Sequence, residues 1–211
     1  MRPVLIESIT ETEADGYYFG RFKSMDPITL MGPLDAPVCL IHRMELERAS
    51  NEGRFTEVYE LIDYQDKAES KFGSRSKPAA MAILIEEMGY LTLTVPHHYP
   101  VAYYAELTKL GVALEIEHDD LFPERWIKSP DEIEGCREGA RISEAGFARV
   151  REILSASEIG ADDTLSFEGE VLTCETLRRE IRVATSAVGG GVNSPIAASG
   201  LQASDCHCIG F

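Results

Sequence analysis

At 211 residues, with 44% hydrophobic and 27% charged side chains, the chain has enough apolar material for one large domain or two small ones with real cores. A formal charge of −16, spread over both halves, repels polyanions at long range and argues against a nucleic-acid partner. No apolar run approaches the roughly 20 residues of a membrane span, the N-terminus lacks a basic-then-apolar leader, and five scattered cysteines read as reduced thiols of a cytoplasmic protein.

In chain order, Val4-Leu5-Ile6 predicts a first strand. The aromatic stretch 17–22 reads as extended, and Met25-Asp26-Pro27 as a turn. Residues 37–42 form an apolar run bounded by Pro33 and Asp35, a buried strand. A short helix follows over 43–51, closed by Gly53, and 58–62 is another strand. Ser76-Lys77-Pro78 starts a helix running to Met88, with Gly89 placed to end it. A strand over 91–95, a helix over 99–110 stopped by Gly111 and a strand over 112–116 complete the series. Strands alternating with helices predict an α/β layer whose sheet is at least partly parallel.

Beyond it, Ser129 and Glu132 form a capping box, with Pro130 at the first helical position. The helix they open is expected to continue to near Gly160. Ile133, Cys136, Ala140, Ser143, Phe147, Val150 and Leu154 mark its core-facing stripe. Gly135, Gly139 and Gly146 weaken it by about 1 kcal/mol each. Thr173 caps a further helix through Leu177, Ile181 and Ala184, and Gly189-Gly190-Gly191 form a flexible bend.

Candidate chemistry is sparse. Cys206-His207-Cys208 offers three soft ligands, but a structural zinc site takes four, usually from two separated pairs, and no second pair exists. A cysteine nucleophile activated by His207 meets the difficulty that neighbouring residues in a strand point to opposite faces. His97-His98, between Pro96 and Pro100, suits a polar turn, and His42 at a strand end suits a structural role. The glycines at 189–191 lack the strand and helix context of a nucleotide loop.

The run Arg125-Trp126-Ile127-Lys128-Ser129-Pro130-Asp131-Glu132-Ile133, followed by Arg137 and Ala140, resembles the interdomain segment of the aminopeptidase P, prolidase and creatinase family. That resemblance implies a ribonuclease-H-like mixed-sheet N-terminal domain over 1–128. It implies a linking helix and the beginning of an α+β pita-bread peptidase domain over 129–211. Ile196 to Gly200 would be the first strand of that second domain, and His207 the histidine beside the metal site. There His207 is not a ligand but hydrogen-bonds the substrate or the tetrahedral intermediate. In the family two divalent ions of manganese, cobalt or zinc type are held by two Asp, a further His and two Glu, and activate the water that cleaves the bond before proline. Phe211 ends the chain before those ligands, so the chain alone is expected to hold no metal and cleave nothing. The incomplete second domain is expected to leave a strand edge unpaired and Ile196, Leu201 and Ile209 exposed. A proline-containing peptide is the implied partner and a homodimer is expected. The alternative is a non-catalytic relative, a peptide- or protein-binding module.

Overall fold

The computed structural model describes residues 2–210, so Met1 and Phe211, at which the two expected domains begin and end, lie outside the described residues. The chain divides into two compact units, Met1–Trp126 and Ile127–Phe211.

The first unit is the expected mixed α/β layer. Its strands are β1 (Val4–Ser8), β2 (Ile28–Gly32), β3 (Val38–Ile41), β4 (Glu57–Glu60), β5 (Thr92–Pro96) and β6 (Ala113–Glu117). They lie in the order β4-β3-β2-β1-β5-β6. The β1–β2 and β2–β3 pairs are antiparallel, and β1–β5, β3–β4 and β5–β6 are parallel. Alternation along β1 sends Leu5 to one face and Val4 and Ile6 to the other, so both faces carry a core. On the Leu5 face lie helices α3 (Leu61–Phe72), α4 (Lys77–Glu87) and α5 (Val101–Lys109). Met81, Leu84 and Leu107 are fully buried there. On the other face α1 (Ala14–Gly20) and α2 (Arg43–Glu52) bring Phe19 and Ala49 against Leu30 and Ile41. The outer strands carry Glu57 and Glu60 on β4, and Glu115 and Glu117 on β6.

One reading of this unit needs correction, and two of its elements went unread. Residues 17–20, read as extended within 17–22, are the second half of a helix, α1. The Glu13 carboxylate caps the helix by accepting from the amides of Asp15 and Gly16, and packing overrides the β preference of the aromatics. The approach needs glycine, since a Cβ on Gly20 would lie 2.7 Å from the Phe55 ring and one on Gly16 2.5 Å from Ser8 Oγ. Strand β2 was hidden in Ile28-Thr29-Leu30-Met31, directly after the predicted turn. Helix α3 follows β4 without a break. It buries Tyr64 and Ala68 one turn apart and ends at Gly73, whose φ of 67° suits glycine.

On the exposed side of α3 and α4, Glu87 accepts from Lys67 Nζ at 2.8 Å and from the Tyr64 hydroxyl at 2.8 Å. The Lys67 ammonium first, then the tyrosine, hold its carboxyl below the usual 4.5. A depressed folded value stabilises the protein above pH 4.5 and ceases to do so as pH falls through the lowered value. Glu87 and Lys67 are nearly half exposed, so solvent screening keeps the effect below about 1 kcal/mol. Urea titrations at a series of pH values should therefore show a shallower acid limb in Glu87→Gln; identical limbs would contradict the assignment.

The second unit opens on α6 (Pro130–Ala156) with the expected capping box: the Glu132 amide donates to Ser129 Oγ, and the Ser129 amide to Glu132 Oε2 at 2.9 Å. The helix stops at Ala156, short of Gly160. Its inward face is not the predicted stripe. Phe147 is 64% exposed and Leu154 45%, whereas Gly146 and Ile153 are buried. Helix α7 (Cys174–Ala187) crosses at Gly146, where a Cβ would meet Ile181 and Thr185 at 3.3 Å. Gly190 likewise sits against Ile142, leaving no room for a Cβ, so the glycine bend is also a packing contact. Between the helices β7 (Glu158–Ile159), β8 (Leu165–Phe167) and β9 (Glu170–Val171) form an antiparallel sheet that the sequence reading did not foresee. Glu168 and Gly169, both at positive φ, make its two-residue turn. The strand expected at 196–200 is absent; that stretch is irregular and leads into a 3-10 turn at Gly200–Ser204. Ile196, Leu201 and Ile209 are exposed.

Candidate functional site

Within the second unit, the loop carrying His207 is built on α7. Thr173 Oγ1 caps that helix by accepting the Thr176 amide at 3.2 Å. One turn in, Arg178 is 9% exposed, and its Nη1 donates to the carbonyls of Ala197, Ile209 and Gly210. From Ala197 the chain passes through the 3-10 turn to Asp205. The Asp205 carboxylate accepts the His207 amide at 3.0 Å, and its carbonyl accepts the Cys208 amide at 3.1 Å. This small turn presents the His207 imidazole at the surface, where a ring N–H can reach a ligand oxygen. Cys206 is exposed beside it and Cys208 half-buried. Among the described residues, no three His, Cys, Asp or Glu side chains gather as metal ligands, so the donor set does not fit a dimetal centre.

The other four histidines lie in the first unit, where His118 is exposed just after β6. His42 Nδ1 accepts the Met44 amide and caps α2, as a structural residue would. His97 and His98 meet edge to face at 5.1 Å in an exposed turn after β5. Arg125, the first residue of the family-like run, pairs with Asp15 of α1, and Trp126 Nε1 donates to Asp120 at 2.7 Å.

A second polar cluster, in the first unit, went unseen in the sequence. Lys77, at the start of α4, donates to the Glu7 carboxylate and to the Pro27 carbonyl, and Thr29 Oγ1 donates to Glu7 at 2.6 Å. Nearby, burial pushes the Cys39 thiol and the Tyr99 phenol far above their ordinary ranges, and the Tyr99 hydroxyl is buried without a hydrogen-bond partner. The sequence signal was a glutamate inside the apolar run of β1. The cluster is a core ion pair.

No protein-family model and no curated protein sequence matches the chain. Solved structures do. An X-Pro aminopeptidase from Thermotoga maritima superposes with a TM-score of 0.74 at 18% identity, over 100% of this chain and 54% of that one. A Xaa-Pro dipeptidase from Bacillus anthracis gives 0.75 at 17%, over 100% and 52%. A prolidase from Pyrococcus furiosus gives 0.69 at 14%, over 100% and 53%. The chain therefore has the fold of the N-terminal part of these proteins, and it spans about half their length.

Proposed function

We propose that this chain is the N-terminal portion of a Xaa-Pro aminopeptidase- or prolidase-like hydrolase acting on proline-containing peptides. In that reading 1–128 is the creatinase/prolidase-like domain, and 129–211 is the linking helix and the opening of the peptidase domain. The carrying observation is the fold match, which runs through both units at a TM-score of 0.74. His207 supports it: a surface imidazole on a structured turn is suited to donate a hydrogen bond to a peptide carbonyl as negative charge develops there. Among the described residues no group of three His, Cys, Asp or Glu gathers, and in this reading the ions that activate water in such enzymes are held by ligands this chain lacks. Among the described residues no helix is long and apolar enough to cross a membrane, which leaves the substrate side of the reading unaffected.

The chain alone, given manganese or cobalt, is expected to bind no stoichiometric pair of ions by calorimetry and to release no product from Xaa-Pro peptides. Turnover by the isolated chain would overturn the proposal. The reading frame beyond the Phe211 codon supplies the other arm. Asp codons followed by His and Glu codons there predict a longer polypeptide that cleaves before proline. In that polypeptide His207→Ala should lower kcat by about 10²–10³-fold. A frame without them, together with peptide binding and no cleavage, would instead identify a non-catalytic peptide-binding module.

A further inference from the structure

We infer that Arg178 is the positioning residue that holds the His207 loop in its presenting shape, an inference that rests on the role proposed for His207. The loop 198–208 leaves from Ala197 and returns at Ile209, and the carbonyls at both feet point at one guanidinium. Gly210 adds a third carbonyl at 2.9 Å. The feet touch. A Cβ on Gly210 would lie 2.0 Å from the Ala197 oxygen and 2.8 Å from Cys174 Sγ, and the φ of Gly210 is 81°. A loop of this length with joined ends is an Ω-loop, ordered by what closes it. Bonds inside it are short-range, such as Ser204 Oγ to the Leu201 carbonyl at 2.7 Å and the Asp205 amide to the Gln202 carbonyl at 3.2 Å. They shape the turn around His207 but do not tie it to the helix. Arg178 does. Three carbonyl oxygens converging on one buried point repel one another unless a cation stands between them; the two N–H groups of Nη1 serve the Ile209 and Gly210 carbonyls, and the more distant Ala197 carbonyl, at 3.4 Å, shares them. Its outer nitrogen pairs with Glu175 at 3.0 Å, which fixes the plane of the fork.

Hydrogen exchange read by mass spectrometry on the whole chain tests this. In Arg178→Met, amides of 199–210 should exchange about ten- to a hundred-fold faster, because buried carbonyls lose their donor. Those of α6 and of the first unit should be unchanged. Arg178→Lys, a point charge without the fork, should fall between the two. Gly210→Ala, which forces the feet apart with Arg178 intact, should reproduce the loosening. Should Arg178→Met fail to fold, the lysine and alanine variants carry the test. Loop exchange in the folded variants equal to wild type would overturn the inference. The second readout is the His207 imidazole NMR signal titrated with an Ala-Pro-containing tripeptide. A wild-type shift that disappears in Arg178→Met and partly returns in Arg178→Lys shows positioning; a shift equally large in all three overturns it. An absent wild-type shift counts against the role of His207, and the exchange rates alone then decide whether Arg178 clamps the loop.

Discussion

Lys77→Met should lower the stability of the first unit by about 3–5 kcal/mol, read as an earlier urea midpoint at unchanged slope. The Glu7 side chain is 5% exposed and that of Lys77 15%, so removing the ammonium strands a carboxylate whose remaining donor among the described residues is the neutral Thr29 hydroxyl. The location sharpens the expectation. Lys77 occupies the first position of α4, where a cation opposes the helix dipole, and it is retained there by Glu7 and the Pro27 carbonyl. Combining Lys77→Met with Glu7→Leu should recover much of the loss, because a well-packed apolar pair carries no desolvation cost. A loss below about 1 kcal/mol in the single variant would mean that water reaches the carboxylate, as at a surface pair.

Phe19→Ala is expected to cost about 3–5 kcal/mol, the range for emptying a buried phenylalanine site that cannot collapse. The ring is fully buried and stacks on Phe122 at a centroid distance of 5.7 Å, while Tyr18 meets the same ring at 5.5 Å. Phe122 lies just ahead of Arg125, and Arg125 reaches back to Asp15 of the same helix. The end of the first unit is thus docked on α1, and the cavity should loosen both. Urea unfolding followed at Trp126, the chain's one tryptophan, reports on that docking directly. Unchanged stability would show that the neighbours close the space.

The pattern of what the sequence revealed follows the range of the forces involved. Caps act over three or four residues, so Ser76, Ser129 and Thr173 were legible as helix starts. Apolar runs such as Val38-Cys39-Leu40-Ile41 announced their strands. Residues 17–20 misled because their aromatic content speaks for a strand, while the deciding contacts, with Phe55 and Phe122, come from distant parts of the chain. The face of α6 was misplaced for the same reason. Its apolar spacing favoured Phe147 and Leu154, but a glycine at the crossing with α7 decides which side turns inward. At the candidate site His207 was proposed through family resemblance, whereas Arg178 gave no signal. Its loop partners are backbone carbonyls nineteen and more positions away, and backbone carbonyls have no identity in a sequence.

The two outer strands of the six-stranded sheet have a bearing on how copies of the protein behave in concentrated solution. Both flanks offer a row of backbone groups to any strand that arrives, and both are guarded by carboxylates: Glu57 and Glu60 on one, Glu115 and Glu117 on the other. Arg43 covers Glu60 and Arg2 lies 3.5 Å from Glu115 and Glu117, so the guard is partly offset, yet the whole chain remains at −16. Two like-charged flanks approaching each other meet repulsion before their amides come within bonding range. That protection is coulombic and reaches only as far as the salt allows, about 10 Å at 0.1 M but about 3 Å at 1 M. Strand-to-strand association is therefore opposed by ionic conditions as much as by shape, and that opposition weakens as salt is raised.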